Sequence, residues 1–87
     1  MLDKILKQRH NTYGSIMSQA LLTQTFKAVA RGSINYSHMA ADQKEALDMI
    51  FNKIARILNG DPNYADSWVD VAGYAKLVAD RLDGQLD

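Results

Sequence analysis

Four carboxylates stand in two short clusters, Glu45 with Asp48 and Asp66 with Asp70. Each cluster lies in a stretch of helical periodicity, and acids three or four residues apart on a helix share one face. Two such helices side by side could hold Mg²⁺, which takes oxygen ligands and joins protein carboxylates to nucleotide phosphates. Close to the first cluster are Lys53 and Arg56. One is a compact charge and the other a rigid fork of donors, and both suit phosphate. Residue type and spacing leave an ordinary solvated surface equally open, with Glu45 then serving only a helix cap.

The elements that must position these groups read as helices throughout. Apolar residues recur at three- and four-residue intervals, and no alternating strand pattern appears. A short first helix is predicted over residues 2–8, followed by a loop from Arg9 to Gly14 in which the glycine supplies a turn. Ser15 is a natural N-cap for a second helix over 16–31, with Ile16, Ala20, Phe26 and Ala30 facing inward and Gly32 ending it. Asp42, with Glu45 three residues on, resembles a capping box opening a third helix. That helix carries the clearest apolar stripe, Leu47, Ile50, Phe51, Ile54, Ile57 and Leu58, and stops at Asn59-Gly60. Asp61 as cap and Pro62 at the first helical position would open a fourth helix running to Leu82. Residues 83–87 then form a frayed tail. The whole is a single small antiparallel bundle of about four helices, with residues 1–14 as a short helix and loop.

Glu45, Asp48, Asn52 and Arg56 line the face of the third helix opposite its stripe. The main core stripe expected of the fourth is Trp68, Val71, Ala72, Ala75, Val78, Ala79 and Leu82. Asp66 and Asp70 share the other side with Val69, Gly73 and Leu77. A helix apolar on more than one side is usually covered on more than one side, where carboxylates need a cation or metal. Gly73, mid-helix, hints at the close approach of another element. Tyr13, Tyr36, Tyr64 and Tyr74 could stack on a base or simply close the core. His10 and His38 are expected in loops and show no metal-ligand spacing. No serine has a convincing His–acid constellation around it.

Composition narrows the function classes. At 87 residues, 47% apolar and 23% charged, the chain is one soluble globular domain. Ten basic and ten acidic side chains cancel, so bulk nucleic-acid binding and attachment to anionic membranes find no support. There is no cysteine, which excludes disulfides and thiol chemistry. Neither a secretory signal nor an apolar run of about 18 residues is present, and the expected location is intracellular. So short a chain leaves long helices partly uncovered, and a homo-oligomer is expected.

The blocks Lys53-x-Ala55-Arg56 and Asp66-Ser67-Trp68-x-Asp70-x-Ala72-Gly73-Tyr74 resemble a family of short, uncharacterised phage and prophage proteins. Arg9 and Tyr13-Gly14 fit that family's opening. The resemblance covers most of the chain and implies a phage origin and a host-cytoplasm location. More distantly the chain is similar to the MazG-type all-α nucleoside triphosphate pyrophosphohydrolases. Those enzymes hold Mg²⁺ against a triphosphate with paired acids on consecutive helices, usually across an oligomer interface. That likeness implies metal roles for Glu45, Asp48 and Asp70. Asp66 departs from the pattern by its wider spacing.

The leading expectation is a phage accessory protein that binds a nucleotide or nucleotide-derived signal and sequesters it from host defence. Lys53, Arg56, Arg9, Tyr13 and Tyr74 are the expected ligand-binding residues. One rival is a Mg²⁺-dependent nucleoside triphosphate pyrophosphohydrolase. The other is a protein-binding inhibitor of a host factor.

Overall fold

The computed structural model describes residues 1–84. These form four α-helices: α1 Leu2–Tyr13, α2 Ile16–Arg31, α3 Ala41–Asn59 and α4 Ala65–Leu82. A 3-10 turn at Tyr36–His38 lies between α2 and α3, and no strand occurs among the described residues. The expected small all-α bundle is the observed one. α3 is its spine: α2 and α4 each pack along it, and α1 meets α2 and α3. Both neighbours run antiparallel to α3. Asp42 at the start of α3 meets Arg81 at the end of α4, while Asn59 at the end of α3 meets Ser15 at the start of α2. No helix among the described residues is long and apolar enough to cross a membrane.

Local signals set α2 and the end of α3. The Ser15 hydroxyl accepts from the Ser18 N–H at 3.1 Å, the N-cap its position predicts. Gly32 and Gly60 follow the last residues of α2 and α3. Three other boundaries differ from expectation. α1 continues through Arg9 and His10 to Tyr13, so the expected 9–14 loop shrinks to Gly14 and Ser15. α3 opens at Ala41, where the Gln43 side chain accepts from the Ala40 N–H at 2.8 Å; Asp42 is no cap. Its carboxylate instead takes a two-pronged bond from Arg81, Nε at 2.7 Å and Nη2 at 2.6 Å, a geometry only arginine offers. The Arg81 guanidinium thereby holds the Asp42 carboxyl below its usual pKa. Asp61 caps a turn and not a helix: its side chain accepts from the Asn63 N–H at 2.9 Å, and α4 starts only at Ala65. At the other end, Asp83 and Gly84 turn back onto the Ala79 and Arg81 carbonyls. The remainder of the expected 83–87 tail, residues 85–87, lies outside the described residues.

The packing is the larger surprise. The buried side chains among the described residues are Ala55, Gln19, Thr23 and Ser67, small or polar in every case. Phe26, from α2, meets Phe51, from α3, with ring centroids 5.8 Å apart. Even so, the α3 stripe is only half-buried at Leu47, Ile50, Phe51, Ile54 and Ile57, and Leu58 is exposed. Ile16 is 77% exposed and Trp68 is 55% exposed, although both were expected inside. On α4 the positions turned toward α3 are Ser67, Asp70, Val71, Tyr74, Val78 and Arg81. Compared with the expected stripe, this face is displaced about one residue around the helix. Two ion pairs go with this rotation, Asp42–Arg81 and Lys53–Asp70. Each needs its α4 partner against α3, which turns the indole of Trp68 outward. There its Nε1 donates to the Pro62 carbonyl at 2.9 Å. Gly73 has no neighbour among the described residues within van der Waals reach of an added Cβ, so the expected close approach of another element is not seen there.

Candidate functional site

Two turns, far apart in sequence, are fastened together. Gly14 has φ +81°, a conformation that favours glycine, and a Cβ there would run into Asn59. The Asn59 side-chain amide donates to the carbonyls of Tyr13 and Ser15, both at 3.0 Å. Next to it, Gly60 lies so close to the Thr12 carbonyl and the Tyr13 backbone that no side chain fits. The Asp61 N–H then donates to the Thr12 carbonyl at 2.6 Å. Asn59-Gly60 therefore does more than end α3. It anchors the C-terminal end of α1, a helix with no buried residue of its own.

This anchoring sets the last turn of α1 over α2 and α3 and shapes a cleft of about 400 Å³. Arg9, His10 and Tyr13 come from α1, Gln19 from α2 and Arg56 from α3, with Leu6 and Ile16 as apolar walls. The Arg56 guanidinium carbon sits 4.3 Å from the centroid of the Tyr13 ring, within cation–π range. Tyr13 is held in turn by Tyr64, edge to face at 5.9 Å. Arg56 Nε is buried and has no hydrogen-bond partner among the described residues. Two arginines and a histidine line the cleft, and among the described residues no aspartate or glutamate does. In a chain of zero net charge, that is a concentrated positive site.

Of the expected ligand-binding residues, Arg9, Tyr13 and Arg56 meet in this cleft. Lys53 and Tyr74 do not line it. Lys53 is largely buried and pairs with Asp70 at 3.0 Å. Tyr74 lines a separate groove between α3 and α4 with Asp42 and Glu45. His10 and Gln19 are additions that the sequence reading missed. His10 was expected in a loop, and Gln19 gave no signal beyond being a polar residue at an inward helical position.

The acids are dispersed. Glu45 is exposed at the rim of the α3–α4 groove, Asp48 is half-buried one turn further along α3, and Asp70 is engaged by Lys53. Asp66 accepts from the Tyr64 hydroxyl at 3.3 Å, and its charge pushes the Tyr64 pKa up. Among the described residues no three acids or histidines come close enough to hold a metal ion. The acids that one chain brings together do not fit a Mg²⁺ cage, and no chemistry is routed through one below.

The fold and the cleft define a small helical domain with a cationic, aromatic-floored pocket. The chain belongs to the family described as a domain of unknown function (DUF6378), whose model matches residues 2–82. No curated protein and no solved structure matches it.

Proposed function

We propose that this protein binds an anionic, nucleotide-type small molecule in the Arg9–Tyr13–Arg56 cleft. The observation that carries the reading is Arg56: a charged side chain stacked on Tyr13, with a buried Nε that no group among the described residues satisfies. Charged donors in a folded protein are nearly always paired, and Arg56 lines the cleft with no hydrogen bond or ion pair to the described residues, so its fork is available to a ligand acceptor. Phosphate oxygens match the arginine fork, and Arg9 and His10 supply further donors. The apolar walls, Leu6 and Ile16, suit a base or sugar. The volume of about 400 Å³ lies in the usual range for small-molecule sites.

The likeness to phage and prophage proteins supports a role in which binding without turnover withdraws a nucleotide signal in the host cytoplasm. Calorimetric titration with orthophosphate, pyrophosphate, a nucleoside, mononucleotides and cyclic nucleotides tests the reading, each with Mg²⁺ and with chelator. A nucleotide binding more tightly than either the free phosphate or the nucleoside is the expected result. If no phosphorylated compound binds, the reading is lost. Mg²⁺-dependent release of pyrophosphate would establish the hydrolase reading in its place.

A further inference from the structure

We propose that a second copy of this chain packs against the α3–α4 face, forming a two-fold dimer through the outer seam of α4. This rests on packing alone and stands independently of the anion cleft.

Trp68, Ala72, Ala75, Ala79 and Leu82 recur at alternating four- and three-residue spacing, so they form one continuous seam, and every one of them is exposed. Beside the seam, an apolar groove of about 320 Å³ runs between α3 and α4, with Leu47, Ile50 and Val78 in its lining and Ala75 on its edge. Among the described residues no charged side chain lines it.

Three observations select a second copy as the occupant. The first is area. The chain exposes 6358 Å², whereas a folded monomer of 9.7 kDa is expected to expose roughly 5,100 Å². The excess is of the order a stable dimer hides on each partner, roughly 800 Å². The radius of gyration agrees, at 14.8 Å against about 12 Å for a compact chain of this length.

The second is the order of sizes along the seam. Large residues stand at both ends, Trp68 and Leu82, with alanines between. That order reads the same in either direction, so an antiparallel copy sets Trp68 beside the partner's Leu82. The alanines then let the helix backbones approach closely. A two-fold interface requires such self-complementarity. The third is charge: with ten residues of each sign, two copies do not repel.

The test compares the whole protein with Ala75→Glu and Leu21→Glu by light scattering, thermal melting at several concentrations, and quenching of the single tryptophan. Leu21 is an exposed apolar residue on α2, remote from the seam, and serves as the control. The parent should weigh twice 9.7 kDa, and its Tm should rise with concentration. Its Trp68 should be shielded from iodide, and the shielding should fade on dilution. Leu21→Glu should behave like the parent. Ala75→Glu should be folded and monomeric, because position 75 is open in the single chain. A monomeric parent with a concentration-independent Tm overturns the proposal. So does an Ala75→Glu variant that keeps the parent's mass, or a Trp68 as exposed to iodide in the assembled protein as in the diluted one.

Discussion

Replacing Arg56 by methionine separates a ligand-binding arginine from a structural one. Methionine keeps most of the aliphatic stem and removes the charged head. Loss of the Tyr13 stacking should cost about 0.5–1 kcal/mol. Removing a buried donor that has no partner should return about 1–3 kcal/mol of desolvation. The balance for the ligand-free protein is neutral to stabilising, and each kcal/mol is worth roughly 4–8 °C in Tm for a domain of this size. Binding should move the other way. A hydrogen bond from a charged donor to phosphate contributes about 1.5–3 kcal/mol, so affinity should fall roughly 10- to 150-fold. Differential scanning fluorimetry at fixed protein concentration reads the first quantity, and calorimetry with the best nucleotide reads the second. A melting temperature lowered by more than about 5 °C with unchanged affinity would refute the reasoning and make Arg56 part of the scaffold.

Further outcomes follow from the same geometry. Asn59→Ala removes two bonds to the Tyr13 and Ser15 carbonyls and should cost about 2 kcal/mol, with ligand affinity falling although Asn59 does not line the cleft; an unchanged melt would show that the turn needs no fastening. Gly60→Ala should destabilise severely, because its Cβ meets backbone that cannot move aside, whereas Gly73→Ala should gain about 0.5–1 kcal/mol in open space. A loss at Gly73 would mean that another molecule lies against it. Asp42→Asn should lower Tm at neutral pH. Because the folded pKa of Asp42 is depressed by Arg81, its contribution is present above the unfolded carboxylate pKa and disappears as pH falls through the folded value. Parent and variant melts should therefore converge in acid, and a gap independent of pH would contradict the pairing. Ligand binding should slow amide exchange in α1, which has no buried residue to protect it otherwise.

The parts of the fold legible in the sequence are those written in neighbouring residues. α2 could be bounded to the residue because Ser15 caps it locally and Gly32 follows it. The end of α3 at Asn59 was equally plain, whereas its stripe was legible only in part: Leu58 is exposed, and the buried apolar residue is Ala55, which the stripe left out. What could not be read depends on partners far along the chain. Asp42 has the chemistry of an N-cap, but Arg81 claims it from 39 residues away. The α4 stripe is wider than the face α3 covers, so the pattern alone could not choose which edge turns inward, and Trp68 fell on the wrong one. For the cleft, Arg9, Tyr13 and Arg56 were recognisable as single residues suited to an anion. Their meeting was not, because it depends on Asn59 crossing to Tyr13, and His10 was hidden by the helix ending expected too early.

That crossing also bears on the order in which the molecule assembles. Asn59 reaches Tyr13 over a separation of 46 residues, among the longest closures in the chain. Contacts across so long a loop are slow to form relative to the helical hairpins between neighbours. During synthesis α1 precedes α3, and although α1 also meets α2, the turn that anchors its C-terminal end is complete only once Gly60 and Asp61 have emerged. The cleft should therefore be a late product of folding, appearing after α2, α3 and α4 have found one another. Pulse-labelled hydrogen exchange would show this as protection reaching α1 last. Protection of α1 at the same time as α3 would place the joining of the two turns at the start of folding instead.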